Sequence, residues 1–587
     1  MKAPPLPRPE FLNRSRRRRW PWLVLLVAAL LAVLSPHTSA QAAEAKRPNV
    51  VLVLTDDQGY GDLGCHGNPV LKTPNIDRLH GQSVRLTNFH VDPTCSPTRS
   101  ALLTGRYSSR TGVWHTVMGR SLLRRDEVTM ADVFAANGYR TGLFGKWHLG
   151  DNYPYRPQER GFREVLTFGG GGIGNTPDFW GNNYFDDTLR HNGRLEKFHG
   201  YCTDVFFAAA LRFIERNKDR PFFAYVATNA PHAPYNVADK YSKPYLAQGV
   251  PEQRARFYDM IANIDENVGR LLARLKELGL EENTILVFMT DNGTSGGYNQ
   301  KSGGHNAGMR GIKGSEYDGG HRVPFFVRWP GQLAGGRDVG RVAAHIDVLP
   351  TLLDLCGLPK PEKVAFDGAS LRPLLTGKGD WPARTLLVHS QRIDHPEKWR
   401  KCAVMTDCWR LVNGKELYDM TADPGQKKDV AREYPQSVAE LRRDYERWWA
   451  DISRRFDEYC EIVIGSEQES PTLLCCHDWH GELAPSGQEM VRRAVVANGF
   501  WAVEAARPGK YAITLRQQPA ATKFPIQAKT ARLKVGDLDV SRPVPPGATA
   551  VTFEARLKAG KTRLQTWLTE AGGRSRGAYY VEVKYLD

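Results

Sequence analysis

Acidic and amide side chains stand at the ends of two apolar segments of this sequence. Residues 49–55 (NVVLVLT) run into Asp56 and Asp57, and residues 283–290 (NTILVFMT) run into Asp291 and Asn292. Three carboxylates and an amide oxygen gathered at one point are tolerable only when a hard divalent cation offsets their repulsion. Either pair alone is equally well explained as the cap of a turn. If both pairs converge, the sequence predicts a calcium or magnesium site.

A cysteine lies between these two pairs, at the start of a predicted helix. In CSPTR, residues 95–99, Pro97 suits a first helical turn that continues through SALLTG, residues 100–105. Arg99 then lies one turn after Cys95 on the same face. The free N–H groups of a helix start and the guanidinium together favour binding of an oxyanion. Taken alone, the motif occurs by chance in many proteins.

The elements that must position these groups alternate between strand and helix. Apolar strands are predicted at 49–55, 221–228 and 283–290, with helices at 130–137 and 257–278 between them. This order is typical of an α/β fold in which a large mixed β-sheet is flanked by helices. Ligands of such folds bind at the carboxyl ends of the strands.

The pattern changes twice towards the C-terminus. Short strands and a charged helix predict a small antiparallel-sheet subdomain over residues 381–455, after an α/β domain over 46–380. Residues 456–587 contain short alternating segments separated by Gly and Pro, which predicts a β-rich, sandwich-like accessory module.

Composition indicates a globular protein with a basic surface. The 587 residues are 41% hydrophobic and 25% charged, which argues against a disordered or collagen-like chain. The formal net charge of +16 suits nucleic acid or an anionic polysaccharide as partner. We expect no nucleic-acid partner, because the sequence has no zinc-finger or RNA-module signature.

The N-terminus is typical of an export signal. Four arginines at 16–19 precede an apolar run over 20–34, and small-residue cleavage patterns follow at 38–42. We predict a signal peptide over residues 1–42 and a mature protein, in the bacterial periplasm or outside the cell, with no stable membrane span. An uncleaved anchor is the alternative, although the run is shorter than the ~20 apolar residues of a span.

Nine cysteines, an odd number, leave at least one thiol unpaired in an exported protein. Cys402 and Cys408 flank a predicted hairpin and are candidates for a disulfide. Cys95 is instead a candidate for a chemical role.

Four motifs, in matching order, resemble those of the type I (formylglycine-dependent) sulfatase family. They are VLTDDQGYGD (53–62), CSPTR followed by LTGR (95–99 and 103–106), GKWHLG (145–150) and TDNG (290–293). The resemblance covers about residues 47–455. It implies the alkaline-phosphatase-like sulfatase fold and hydrolysis of sulfate esters to an alcohol and inorganic sulfate.

The resemblance also implies a role for each matching residue. Cys95 matches the cysteine that a formylglycine-generating enzyme oxidises, and together with Asp56, Asp57, Asp291 and Asn292 it matches the calcium ligands. The residues implied to bind the sulfate or transfer protons are Arg99, Lys146, His148, His232 and Lys313. By this analogy His232 protonates the leaving alcohol and His148 assists the second step.

Two other functions remain open at this point. The same site chemistry serves a phosphate or phosphonate monoester hydrolase of the same superfamily. A sulfated-glycan-binding protein with a decayed site is the third possibility, against which the intact set of cations argues. Carbohydrate sulfates are favoured over small aryl sulfates by the basic charge and by four aromatic residues in the last segment, Trp501, Trp567, Tyr579 and Tyr580, although these aromatics are equally suited to a core.

Overall fold

A ten-stranded mixed sheet dominates the N-terminal part of the computed structural model, which describes residues 47–587. The predicted signal peptide, residues 1–42, lies outside the described residues. The strands of this part are β1 (Asn49–Thr55), β2 (Val84–Leu86), β3 (Phe89–His90), β4 (Arg140–Gly145), β5 (Glu164–Thr167), β6 (Thr188–His191), β7 (Arg194–Lys197), β8 (Phe222–Ala227), β9 (Thr284–Thr290), β10 (Tyr298–Asn299), β11 (Gly303–Gly304), β12 (Phe325–Arg328), β13 (Arg337–Val339) and β14 (Ala343–Ala344).

Helices connect and cover these strands. The helices of this part are α1 (Pro74–Gly81), α2 (Cys95–Thr104), α3 (Met130–Ala136), α4 (Cys202–Arg216), α5 (Asp239–Ala247), α6 (Glu252–Glu277), α7 (Asp318–His321), α8 (Val348–Leu355) and α9 (Arg372–Thr376). The long helix is predicted to start at residue 257, whereas it starts five residues earlier, at Glu252. The first turn is charged and lacks the apolar residues at helical spacing on which the prediction depends.

Four of the five adjacent parallel strands of the sheet end beside one another. The order is β13-β2-β12-β9-β1-β8-β4-β5-β6-β7, and β9, β1, β8 and β4 all run in the same direction. Their last residues are in register, with Thr55 beside Thr290 and Gly145 beside Ala227. The carboxyl ends of these four strands therefore lie along one edge. The predicted α/β fold with a large mixed sheet is confirmed.

The central strand β1 is buried over its whole length because both of its faces are covered. Leu52 and Leu54 point into a core that includes Phe134 of α3. Val51 and Val53 point the other way, into a core with Phe206 of α4. A continuous apolar run such as NVVLVLT is the pattern that such two-sided burial requires.

A four-stranded antiparallel sheet follows, with the order β15-β16-β17-β18. Its strands and covering helix are β15 (Leu386–His389), β16 (Cys402–Met405), β17 (Trp409–Val412), β18 (Glu416–Asp419) and α10 (Pro435–Ile452). The candidate disulfide between Cys402 and Cys408 is not formed. Cys402 accepts a backbone hydrogen bond from Asn413 across the hairpin, whereas Cys408 lies in the turn. All nine cysteines of residues 47–587 are free thiols.

Two further sheets contain most of the remaining chain. Their elements are β19 (Ile462–Ile464), β20 (Thr472–Cys475), α11 (Gln488–Arg492), β21 (Phe500–Ala505), β22 (Gly509–Arg516), β23 (Thr530–Val535), β24 (Leu538–Pro543), β25 (Val551–Leu557), β26 (Gly560–Thr569), β27 (Ser575–Arg576) and β28 (Tyr580–Tyr585). One sheet has the order β19-β21-β26-β23-β24, with β27 on β26, and the other has the order β20-β28-β22-β25. The β-rich character of this part is confirmed, whereas the domain boundaries at 380 and 455 stay predictions.

A shared core joins these two sheets. Trp501 of β21 and Phe553 of β25, one from each sheet, are both fully buried in it. Tyr579 is buried there as well. Two of the four aromatic residues considered for glycan binding, Trp501 and Tyr579, therefore belong to the core.

Seven 3₁₀ helices complete the secondary structure of the described residues: Gly64–His66, Pro157–Arg160, Glu281–Asn283, His345–Asp347, Ser453–Arg455, Cys476–Asp478 and Ala520–Thr522. Among residues 47–587, none of the helices has the length and apolar character to span a membrane.

Candidate active site

The four parallel strands deliver the candidate residues to one edge of the sheet. Asp56 and Asp57 follow β1, Asp291 and Asn292 follow β9, and Lys146 follows β4. All five side chains are buried, at 0–2% exposure. The expected convergence of the acidic side chains is therefore observed. It arises because β9, β1, β8 and β4 are neighbouring parallel strands whose ends are in register.

The acidic residues form one hydrogen-bonded cluster. The backbone N–H of Asp57 donates to Asp291 Oδ1 over 3.0 Å, and Asn292 Nδ2 donates to Asp57 Oδ1 over 2.9 Å. Ligand atoms of Asp56, Cys95 and Asp291 lie within 4.8 Å of one another. Burial, together with the charge of Asp56, raises the pKa of Asp291 to about 6. Burial is also the main reason that the pKa of Asp56 is raised.

Two oxygen atoms show that this cluster fits a divalent cation. Asp56 Oδ1 and Asn292 Oδ1 are buried, and neither has a hydrogen-bond partner within the described chain. Buried polar atoms are almost always paired, so these two oxygens are suited to coordinate an ion. The donor set is rich in carboxylate and amide oxygen, which hard cations such as calcium and magnesium prefer.

Three cations surround the acidic cluster. Lys146 Nζ lies 2.5 Å from Asp56 Oδ2, and Arg99 Nη2 lies 2.8 Å from Asp291 Oδ2. Lys313 Nζ lies 2.6 Å from Asp57 Oδ1. Three cations against three carboxylates leave the protein groups close to neutral. A bound divalent ion would make the site positive and attractive to an anion.

The Lys313–Asp57 contact fixes the charge of both partners. Burial alone would raise the pKa of Asp57, but the ammonium of Lys313 holds it well below its usual range. Burial alone would likewise lower the pKa of Lys313, but the carboxylate of Asp57 raises it. Both groups are therefore charged at neutral pH.

Cys95 is the first residue of α2 and lines a cavity of about 130 Å³. Its side chain is only 3% exposed. His148, His232 and Lys313 line the same cavity. Pro97 lies in the first helical turn as predicted, and the helix ends at Gly105, whose φ of +67° favours glycine. The predicted nucleophile, both histidines and Lys313 thus share this cavity, whereas Arg99 and Lys146 are fully buried against the acidic cluster.

Backbone carbonyls orient the two histidines. His148 Nε2 lies 2.9 Å from the carbonyl of Thr116 and donates to it, which leaves the buried Nδ1 with no partner among residues 47–587. His232 Nδ1 donates to the carbonyl of Ala233 over 2.6 Å, and its Nε2 lies 3.8 Å from Asp57 Oδ2. Each ring therefore keeps one unprotonated nitrogen for proton transfer.

Both histidines are neutral in the free protein. Burial and the charge of Lys313 lower the pKa of His232 to about 4. Burial and the charge of Lys146 hold the pKa of His148 well below its ordinary value. Each ring is therefore able to accept a proton at neutral pH.

Unusual backbone geometry occurs at two of the site residues. Asp57 and His148 have φ values of 64° and 60°, in the left-handed region that residues other than glycine rarely occupy. Such conformations persist where the surrounding contacts fix them, and they cluster at functional sites. The positions of the Asp57 carboxylate and the His148 ring are therefore set by the backbone itself.

The glycine-rich segment 169–174 packs against these histidines. A Cβ at Gly171 would lie 2.3 Å from His148 Cε1, so only glycine fits there. At Gly172 the nearest atom would be His232 Nδ1 at 3.6 Å, which is ordinary contact. This segment therefore supports the rings of His148 and His232.

Several residues that line the cavity were not predicted from the sequence. They are Thr116, Val117, Asn175, Arg392, His477 and Ser486. Arg392 lies in the segment of the small antiparallel sheet, and His477 and Ser486 lie in the C-terminal β-rich part. The adjacent His477 and Asp478 were a signal in the sequence, because an acid beside a histidine is a common way to orient the ring.

Comparisons with known proteins agree with this geometry. The sulfatase family model matches residues 48–358, and the model for the C-terminal part of N-sulphoglucosamine sulphohydrolase matches residues 313–448. Arylsulfatase A of Homo sapiens is 35% identical over 416 residues, which cover 66% of this chain and 79% of that protein.

A second relative and a solved structure extend the match. N-acetylgalactosamine-6-sulfatase of Mus musculus is 32% identical over 533 residues, covering 81% of this chain and 98% of the relative. The crystal structure of Ps i-CgsB in complex with k-i-k-neocarrahexaose superimposes with a TM-score of 0.64 at 28% identity, covering 71% of this chain and 95% of that one.

We predict that Gly171→Ala displaces His148 whereas Gly172→Ala does not. The added methyl group at position 171 collides with the buried ring, and at position 172 it has room. Thermal denaturation should show a lower Tm for the first variant only, and a crystal structure should show the ring moved. Equal Tm values for both variants would contradict the tight packing.

We also predict that calcium stabilises the protein through the acidic cluster. At a free calcium concentration about 100-fold above Kd, the gain in stability should be about 2.7 kcal/mol. The measurement is the Tm with calcium and with excess chelator. Asp291→Asn should abolish the difference.

Asp265→Asn is the matched control for the calcium effect. Asp265 is equally buried but accepts hydrogen bonds from Asn75 and Ile76, away from the acidic cluster. This variant should have a lower Tm that still rises with calcium. A calcium response that survives in Asp291→Asn would place the ion elsewhere.

Proposed function

The chain belongs to the sulfatase family, and we propose that it hydrolyses carbohydrate sulfate esters through a formylglycine formed from Cys95, with calcium held by the acidic cluster. Membership of this family makes the chain a sulfuric ester hydrolase. The observation that carries the finer proposal is the position of Cys95. It is the first residue of a helix and lines one small cavity with Lys313, His148 and His232.

The modified residue supplies the nucleophile. In its hydrated form, formylglycine has two hydroxyl groups on one carbon, so that one accepts the sulfuryl group and deprotonation of the other releases sulfate and restores the aldehyde. A plain thiol would keep the sulfuryl group as a stable adduct. A bound calcium ion would lower the cost of negative charge on the oxygens that surround sulfur.

The three cations of the site bind and orient the sulfate group. Lys146, Arg99 and Lys313 each contact a carboxylate that is fixed by the sheet edge, so their positive charges are held in place before the substrate enters. Preorganised charges of this kind stabilise developing negative charge without reorganisation. The N-terminal N–H groups of α2 add to this positive field.

The histidines move the protons. We assign to His232 Nε2, the ring nitrogen that Ala233 leaves free, the uptake of the proton that the attacking hydroxyl group loses and its transfer to the leaving alcohol. Since this ring is neutral in the free protein, it has to gain that proton once the anionic ester lies beside it. His148, with a free Nδ1, accepts the proton of the second hydroxyl group.

Two observations support a carbohydrate substrate. One relative is an N-acetylgalactosamine-6-sulfatase, and one similar solved structure is a complex with k-i-k-neocarrahexaose. The walls of the cavity around Cys95 also include polar side chains beyond the sulfate-binding set, Asn175, Arg392, His477 and Ser486, which suit hydroxyl groups. We further propose that the protein is exported to the periplasm or beyond, on the strength of its N-terminal sequence.

The first experiment combines mass spectrometry with product release. Protein made together with a formylglycine-generating enzyme should contain formylglycine at position 95. It should release sulfate from 4-nitrophenyl sulfate and from saccharide sulfates when calcium is present. Cys95→Ala should release none.

A parallel phosphate assay on the matched aryl phosphate separates the alternatives. Faster release of phosphate than of sulfate would favour the phosphomonoester hydrolase. Full conversion of Cys95 without release of either product would leave a glycan-binding protein.

A second prediction concerns charge in the site. Lys313→Met should lower kcat/KM for sulfate release by about 10²–10³, because a fixed cation is lost where charge develops. Formylglycine content, measured by mass spectrometry, should be unchanged. Lys301→Met is the control, since Lys301 is an exposed lysine near the same segment. An effect of similar size in the control would show that overall charge, and not the Lys313 contact, matters.

A further inference from the structure

One wall of the catalytic cavity comes from the C-terminal, β-rich part of the chain. Residues 475–488, here called the wall segment, leave β20, turn through the 3₁₀ helix Cys476–Asp478 and end at α11. His477 and Ser486 of this segment line the same cavity as Cys95. The sulfatase model ends at residue 358 and the C-terminal model at residue 448, so neither includes the wall segment.

Hydrogen bonds fix the wall segment to the α/β part on both sides of the cavity. The N–H of Met118 donates to the carbonyl of His477 over 2.8 Å, and the N–H of Thr176 donates to the carbonyl of Ser486 over 2.9 Å. Met118 follows cavity residues Thr116 and Val117, and Thr176 follows Asn175. The wall segment is therefore held as part of the site.

A buried ion pair strengthens this attachment. Asp394 accepts from Arg120 over 3.0 Å and lies 3.1 Å from His480 Nδ1. Arg120 and His480 are almost fully buried, so the contact is well shielded from water. It joins the wall segment to two other parts of the chain.

The His477 side chain has one ring nitrogen without a partner. The ring is 2% exposed, its Nδ1 lies 3.4 Å from Asp478 Oδ1, and its Nε2 is buried with no hydrogen-bond partner in residues 47–587. The ring centre lies 6.0 Å from that of His148. An unpaired buried donor costs free energy unless a ligand pairs with it.

Asp478 determines what the free nitrogen of His477 can do: with Nδ1 donating to the carboxylate, Nε2 accepts a hydrogen bond in the neutral ring and donates one in the protonated ring. Burial alone would lower the pKa of His477, but the hydrogen bond and the charge of Asp478 outweigh burial and raise it. Its neighbour His148, by contrast, is held neutral. Of the two adjacent rings, His477 is therefore the one suited to bind a hydroxyl group of the substrate, which can both donate and accept a hydrogen bond.

We propose that His477 is a substrate-binding residue whose Nε2 forms a hydrogen bond with a hydroxyl group of the sugar next to the sulfate ester, so that the C-terminal part completes the saccharide site. This inference rests on the proposed function. A small aryl sulfate has no oxygen at that position, and its hydrolysis should not depend on the contact. His477 thus separates saccharide sulfates from aryl sulfates.

The test measures KM and kcat for two kinds of substrate in the formylglycine-containing enzyme. The substrates are 4-nitrophenyl sulfate and the best substrate from a panel of N-acetylgalactosamine, galactose and glucosamine 6-sulfates. We expect His477→Ala to lower kcat/KM for the saccharide at least about 10-fold, mainly through KM, which corresponds to about 1.4 kcal/mol. The aryl sulfate should change less than about twofold, and His477→Gln, which keeps a donor, should recover part of the loss.

His480→Gln is the matched control for a purely structural effect. His480 belongs to the same wall segment and is 1% exposed, but it contacts Asp394 and is not among the residues that line the cavity. Because Gln keeps an amide donor for Asp394, the wall segment should stay attached, with a lower Tm and an unchanged KM for the saccharide. An equal rise of KM in both variants would overturn the proposal, because the effect would then come from displacement of the segment.

The other possible outcomes also test the role of His477 or the proposed function. Equal losses on aryl and saccharide sulfates, or no loss in His477→Ala, would overturn the role of His477 while leaving the sulfatase function intact. An active wild-type enzyme that hydrolyses only the aryl sulfate would overturn the saccharide site. A wild-type enzyme that releases no sulfate from either kind of substrate would instead count against the proposed function.

Discussion

Repulsion among buried carboxylates is the constraint around which this structure is built. Asp56, Asp57 and Asp291 are brought together by the parallel register of β1 and β9, and each of them is buried. A cluster of this kind is stable only when positive charge is close by. Lys146, Arg99 and Lys313 supply it from three different segments of the chain. These cations balance the carboxylates, and a divalent ion bound to the same acids would make the site attractive to an anion.

Much of the fold and of the core site follows from local sequence. The run NVVLVLT has to be buried on both faces, and acids that follow such strands have to meet at the sheet edge. Cys95, Pro97 and Arg99 likewise identify the start of a helix and its direction. These inferences succeed because each depends on one element and its immediate end.

Contacts between distant segments could not be predicted in the same way. His477 reaches the cavity only because two C-terminal sheets pack against the α/β part, and its sequence neighbours carry no motif for that docking. The Cys402–Cys408 disulfide failed for a related reason. Proximity in sequence suggested a bond, whereas the register of the hairpin places the two residues apart. The same holds for Trp501 and Tyr579, because the sequence does not distinguish an aromatic residue of a core from one of a binding site.

The depth of Cys95 has a consequence for the order of events during synthesis. At 3% exposure its sulfur is out of reach of another protein once the chain has folded. The wall segment is made roughly 380 residues after Cys95, so the cavity is incomplete while the ribosome is still producing the C-terminal sheets. If Cys95 is converted to formylglycine as proposed, the oxidation has to take place before that last part docks. Docking of the C-terminal part would then end the period in which the modification can occur.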